Sequence, residues 1–181
     1  MFRLASSSET RAMLLNNAGM AFIQESVDFD EDAITASTPK NFVYQATLGK
    51  YEANLKAFGY EDYPLLVADT VVTSQGQILR KAKCIDDARN ILMTQSGNIT
   101  SIITCLIYHS QEKKIIDISQ TDYIFSDFNQ DDLENYLASG EWRGKAGACM
   151  VEGFCKSYIK EVRGFESTAM GLSIEVLKAF I

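Results

Sequence analysis

Leu65-Leu66-Val67-Ala68-Asp69-Thr70-Val71-Val72 is an aliphatic run interrupted near its centre by one carboxylate. Its length and branched content predict a strand buried on both faces, the kind found inside an α/β sheet. An ionised carboxylate left unpaired there costs on the order of tens of kcal/mol in an idealised low-dielectric medium. Asp69 therefore caps a turn at the strand end, is paired, binds a metal, or stands where the strand opens into a site. Downstream, Gln75-Gly76-Gln77 reads as a turn and Ile78-Leu79 as a return strand. Such a hairpin brings Arg80-Lys81-Ala82-Lys83 back toward the carboxylate. Buried acid beside clustered base points to phosphate chemistry with a divalent metal.

Upstream, Thr38-Pro39 opens a helix with proline at the first helical position, running to about Phe58 and ended by Gly59. Phe42, Ala46, Gly49, Ala53 and Ala57 fall on one predicted buried stripe. Lys50 borders it, either snorkelling to water or pointing into a cleft. Earlier still, Phe2 to Ala5 reads as a strand, Ser6 or Ser8 as the cap of a helix over 11–18, and Ala21 to Val27 as a second strand. A strand running into a helix N-terminus offers free N–H groups to an anion. Serine hydroxyls and a charge-assisted fork from Arg11 would add to it. The run Asp28-Phe29-Asp30-Glu31-Asp32 is either a solvated loop or a source of metal ligands.

On the C-terminal side the pattern predicts a helix over 86–96 capped by Asp86, and long paired strands over 99–109 and 114–125. A helix over 129–139 ended by Gly140, a strand over 156–162 and a closing helix over 170–180 follow. Alternating helices, hairpins and crossovers predict an α/β protein around a mixed, strongly twisted sheet. The glycine-rich basic loop from Gly140 to Gly153 carries Arg143, Lys145 and Glu152. It is not a P-loop, because Ala146 stands where a Ser or Thr would hold Mg²⁺. Trp142 either stacks on a base or packs on the preceding helix.

A chain of 181 residues is one domain, or one domain in two lobes. Its net charge of −7 argues against binding a nucleic acid polymer. No run approaches the ~18 to 20 apolar residues of a membrane span, and no apolar leader follows Met1. Cys84, Cys105, Cys149 and Cys155 lack close paired spacing, so free thiols in a reducing cytoplasm are expected rather than a disulfide frame or a zinc site. His109, the sole histidine, sits near a polar turn and reads as surface, which speaks against histidine-based nucleophilic catalysis.

Together these segments resemble the Maf family (septum formation inhibitor Maf) of nucleoside triphosphate pyrophosphatases. The family's opening Leu-Ala-Ser-x-Ser-Pro-Arg-Arg is matched by Leu4-Ala5-Ser6, Ser8 and Arg11, followed by Leu14-Leu15, with Glu9 and Thr10 as departures. Val27 to Glu31 matches its Val-to-Asp-Glu segment, the surroundings of Lys50 its helical lysine, and Ala68 to Val72 its Ala-Asp-Thr-Val-Val in full. Gly76 to Ala82 retains Lys81, Lys145 to Gly147 is the Lys-Ala-Gly signature, and Gly171-Leu172 matches the C-terminal Gly-Leu-Pro with Ser173 replacing the proline.

The resemblance implies one Maf-like domain over 1–181. Its fold would be a mixed α/β sheet in two lobes with a central cleft, akin to inosine triphosphatase, and often a homodimer. It implies hydrolysis of a nucleoside triphosphate to the monophosphate and pyrophosphate with Mg²⁺ or Mn²⁺. Asp69 would be the proton acceptor, Glu31 and Asp69 the metal ligands, and Lys81 a further catalytic group. Ser6, Ser8, Arg11, Lys50, Thr70, Lys145 and Glu152 would contact substrate. Thr70 resembles the branch acting on dTTP and UTP. Glu152 resembles the branch acting on 7-methylguanosine triphosphate. The better-matched segment around Asp69 favours the pyrimidine. A non-catalytic regulator of cell division and a phosphohydrolase acting on another small phosphoester are the alternatives.

Overall fold

Three parallel strands position the chemistry. In the computed structural model, which describes residues 1–31, 34–149, 151 and 153–181, β1 (Phe2–Leu4) leads through α1 (Glu9–Asn17) to β2 (Phe22–Gln24), which pairs parallel with β1. The long α2 (Pro39–Phe58) then returns the chain to β3 (Leu65–Ser74), parallel to β1 on its other side. Because the chain leaves β1 in one direction and returns on the other, the carboxyl ends of β1 and β3 flank a topological switch point. Open α/β sheets bind ligands there.

The rest is antiparallel at its margins. β4 (Gln77–Ile78) folds back on β3, and β5 (Ile99–His109) and β6 (Lys114–Phe125) form a hairpin whose turn is closed by a Ser110 N–H bond to the Lys113 carbonyl. β7 (Ile159–Arg163) pairs antiparallel with β6. The order is β2-β1-β3-β5-β6-β7, with β4 on β3, so the sheet is mixed and open. The remaining helices are α3 (Ile85–Gln95), α4 (Gln130–Ser139), α5 (Glu166–Ala169) and α6 (Ile174–Phe180). Two compact units divide the chain. One comprises 1–70, 103–120 and 165–181, the other 71–102 and 121–164.

The apolar run that predicted a two-sided strand is one. Leu65 to Ala68 are exposed by no more than 1 %. Leu66 and Ala68 pack with Leu4, Leu15, Leu106 and Leu172 on one face, while Leu65 and Val67 pack with Ala5, Tyr51 and Ile107 on the other. Within the second unit, Trp142 is buried and donates its indole N–H to the Leu137 carbonyl, so it packs on α4.

Several expectations are corrected. The buried face of α2 is Phe42, Val43, Ala46, Thr47, Tyr51 and Asn54, and Ala57 is exposed. Thr47 and Asn54 lie inside because their hydrogen bonds are made, to the Val43 and Lys50 carbonyls respectively. The second strand is shorter than predicted. Asp86 does not cap α3, and Asp87 instead accepts from the Lys83 N–H at 2.8 Å. A 3-10 turn over Phe154–Tyr158 delays the last strand to Ile159, and the closing helix is broken at Gly171, whose φ of +103° is disfavoured for L side chains. Cys149 and Cys155 form a disulfide, against the expectation of free thiols, while Cys84 and Cys105 are free. Cys155 lies in that 3-10 turn, six positions after Cys149, a spacing that alone does not announce the pairing. His109 is half-buried rather than surface, with Nδ1 2.7 Å from the Tyr51 hydroxyl and its ring on Tyr60. Burial pushes its pKa down, and nearby Lys114 adds to that. No helix of the described residues is long and apolar enough to cross a membrane.

Candidate functional site

Where β1 ends, Ala5 donates its N–H to the Leu66 carbonyl, and the chain turns through three serines into α1. Ser8, the helix cap, accepts from the Arg11 N–H at 3.3 Å. Ser6 Oγ accepts from the Ser8 N–H at 3.2 Å and from Arg11 Nη1 at 3.0 Å. The serine run is therefore pinned into a loop at a helix N-terminus, with one guanidinium folded back over it. Gln24 of β2 steadies the same loop by donating to the Ser6 carbonyl.

Arg11 is held from three directions. Nε donates to the Gly171 carbonyl at 2.8 Å, Nη1 to Ser6, and Nη2 to Thr70 Oγ1 at 3.2 Å. Burial lowers its pKa from the ordinary value, while Asp69 and Glu31 raise it. A guanidinium remains charged through such a shift.

Asp69, one residue before Thr70, is 7 % exposed. Its partner is Lys50 of α2, whose Nζ lies 2.6 Å from Asp69 Oδ1 and 2.5 Å from Glu31 Oε1. Lys50 thus points into the site rather than snorkelling outward. Desolvation raises the Asp69 carboxyl above the usual carboxylate range, opposed chiefly by Lys50, and the neighbouring Glu31 charge adds to the rise. A carboxylate that holds its proton more readily than usual suits a general base working near neutral pH.

The loop bearing Glu31 is set by two residues that the sequence did not single out. Asn54, one helical turn after Lys50, accepts from the Val27 N–H at 3.0 Å and fixes the loop's start. Phe29 lays its ring on α2 where Gly49 has no side chain, and a Cβ there would overlap the ring. A polar, weak helix former in mid-helix was a legible signal for Asn54. Gly49 was read only as part of an apolar stripe.

Ser6, Ser8, Arg11, Glu31, Lys50, Asp69 and Thr70 all lie in the first unit. Ser6, Ser8, Arg11, Glu31 and Lys50 line a cavity of about 290 Å³ whose wall also includes Ser7, Val27, Phe29 and Asn54, while Asp69 and Thr70 are not part of the wall. A larger cavity of about 500 Å³ in the same unit, walled by Tyr60, Tyr108 and Lys113, contains none of the predicted site residues. Lys81 and Lys145 are exposed in the second unit, where the Lys81 backbone bridges to Ala146. Glu152 and Asp32 lie outside the described residues. Among those described, no three His, Cys, Asp or Glu residues form a ready metal cage. Two carboxylates converging on one cation nevertheless fit the hard-oxygen preference of Mg²⁺ or Mn²⁺, which take one or two protein carboxylates plus water and substrate phosphates.

A switch-point crevice with a serine-lined helix N-terminus, a fixed guanidinium and an acid–lysine–acid set defines an α/β protein built for an anionic, phosphate-like ligand. The chain belongs to the Maf-like protein family, whose family model matches residues 1–181. A relative from a Nitratiruptor species, named nucleoside triphosphate pyrophosphatase, is 57 % identical over 98 % of this chain and 96 % of its own. Relatives of the same name from Campylobacter jejuni and Helicobacter pylori are each 36 % identical. The first is covered along 100 % of both chains; the second over 96 % of this chain and 91 % of its own.

Proposed function

We propose that this chain is a nucleoside triphosphate pyrophosphatase whose water-activating centre is Asp69. The observation that carries this is the Lys50 ammonium held between the buried Asp69 and Glu31, beside the Arg11-closed serine loop. Water adds to the α-phosphorus, pyrophosphate leaves, and the nucleoside monophosphate remains. Asp69 accepts the proton of the attacking water. Arg11, the Ser6 and Ser8 hydroxyls and the α1 N-terminus hold phosphate oxygens, and Lys50 both orients Asp69 and contributes positive charge. Phosphoryl transfer of this kind needs positioning and charge neutralisation more than covalent chemistry. Asp69 and Glu31 would hold a divalent metal, whose chemistry is to neutralise the triphosphate. Lys81 and Lys145 are carried as further substrate contacts on the family pattern.

Purified protein assayed against dTTP, UTP, CTP, GTP and 7-methyl-GTP with Mg²⁺ or Mn²⁺, with pyrophosphate and phosphate detected separately, tests this. Equimolar pyrophosphate and monophosphate are expected. Free phosphate without pyrophosphate would indicate a different phosphohydrolase, and tight binding without turnover a regulator. Within the panel we assign a pyrimidine preference, dTTP or UTP, on the likeness of Ala68 to Val72 to that branch. A 7-methyl-GTP optimum would overturn it in favour of Glu152. A cytoplasmic homodimer accompanies this function on the family pattern, and light scattering of the purified chain reads the oligomer directly.

A further inference from the structure

Thr104 of β5 is fully buried, outside every motif the sequence displayed, and hydrogen-bonded at both ends. Its Oγ1 lies 2.8 Å from the Thr168 carbonyl of α5 and 2.9 Å from Thr70 Oγ1. Thr70 Oγ1 in turn lies 3.2 Å from Arg11 Nη2. The direction of every proton in this series follows from its ends. A carbonyl only accepts, so Thr104 donates its single hydroxyl proton to Thr168. With that proton committed, Thr104 can only accept from Thr70. Thr70 has then spent its own proton and presents lone pairs to Arg11, which only donates.

We propose that Thr104 is a positioning residue for the reaction: it fixes the Thr70 hydroxyl as an acceptor that clamps the Arg11 guanidinium for the triphosphate. It rests on the reading of Arg11 as a phosphate ligand given above. Two consequences follow for specificity. Thr70, with its proton directed inward, cannot donate to a base, so it acts on the phosphates through Arg11. The clamp is also tied to the C-terminal segment twice, because Gly171 supplies the carbonyl that holds Arg11 Nε. A side chain at Gly171 would come within 3.3 Å of Thr70 Oγ1 and 3.5 Å of Arg11 Nε, at a φ that favours glycine.

The test is a cycle of Thr104→Val, Arg11→Ala and the double variant, with Thr104→Ser as the conservative rescue. KM and kcat are measured for dTTP, UTP and GTP, with inorganic tripolyphosphate as a competitive probe and thermal unfolding as a check on the fold. Thr104→Val should weaken tripolyphosphate inhibition and raise KM about threefold to tenfold, the range for losing a hydrogen bond between neutral groups. The factor should be equal for all three nucleotides. Thr104→Ser should stay within about twofold of wild type, and Thr104→Val should add almost nothing once Arg11 is already Ala. Where the valine variant does not fold, Thr104→Ala removes the hydroxyl with less bulk and is read in the same way.

Additive losses in the double variant, a loss confined to one base, or failure of serine to rescue would each overturn the clamp while leaving the Arg11 reading intact. If Arg11→Ala alone leaves tripolyphosphate binding unchanged, the phosphate site itself is misplaced, and the clamp falls with it.

Discussion

Replacing Asp69 with Asn should abolish most turnover without weakening the fold, and the two effects have separate physical origins. The amide keeps the side chain's size and can still accept from Lys50, but it cannot take a proton from water. A positioned general base contributes ~10² to 10⁴ in rate, which is ~3 to 5 kcal/mol of barrier at about 1.4 kcal/mol per tenfold. At 7 % exposure the carboxyl leaves little room for bulk water to substitute, so the upper part of that range is expected. Stability moves the other way. The Asp69 pKa is raised in the folded chain by desolvation, only partly offset by Lys50. Its contribution to stability is therefore fully present below the unfolded carboxylate value of about 4 and is lost as pH rises through the folded value. At pH 7 burial of the acid therefore opposes folding relative to acid pH, and the amide carries no such cost. The Asn variant should melt at the wild-type temperature or above at pH 7, with any advantage vanishing as the pH approaches 4. Pyrophosphate release gives the first quantity and circular dichroism melts at two pH values the second. Turnover within tenfold of wild type, or a melting loss at pH 7 that disappears in acid, would refute the assignment.

Lys50→Met should lower catalytic efficiency ~10² to 10³-fold. Because Lys50 is the chief group holding the Asp69 carboxyl down, the acid limb of the pH–rate profile should also move to higher pH; an unmoved limb would separate Lys50 from the base. Gly49→Ala should destabilise by ~1 to 3 kcal/mol through overpacking against Phe29, and Phe29→Ala in the same chain should restore most of it. A silent Gly49→Ala would show that the ring does not anchor the Glu31 loop. Thiol titration of the native, unreduced protein should report Cys84 alone. Cys105 is buried, with its thiol pushed up to about 11 by desolvation, and should react only on unfolding. The unfolded chain should then show Cys149 and Cys155 only after reduction.

The strand that carries the acid was legible because its composition has one physical solution: continuous aliphatic burial on both faces. The helix α2 was legible from its proline entry and glycine exit, but its buried face was misplaced, since Thr47 and Asn54 count as polar until their internal partners are known. The cation beside Asp69 shows the same limit. Local sequence favoured Lys81 on the adjoining hairpin, whereas Lys50 reaches it from a helix nineteen positions away. Family likeness pointed to Lys50, Arg11 and Glu31, which the fold brings around one cavity. It was silent on Thr104, which reaches the site only through Thr70, and on Asn54 and Phe29, which line the cavity and hold the Glu31 loop.

Arg11 and the Gly171 carbonyl that holds it are 160 positions apart. A chain emerging from the ribosome therefore displays its serine loop, its acid and its lysine long before it possesses the acceptor that aims the guanidinium. A chain that stops short of Gly171 lacks that anchor, so nothing yet holds Arg11 Nε from that side. Closing so wide a span also makes late, slow maturation the expected folding behaviour. Activity recovered after dilution from denaturant should accordingly lag behind the return of the helical signal.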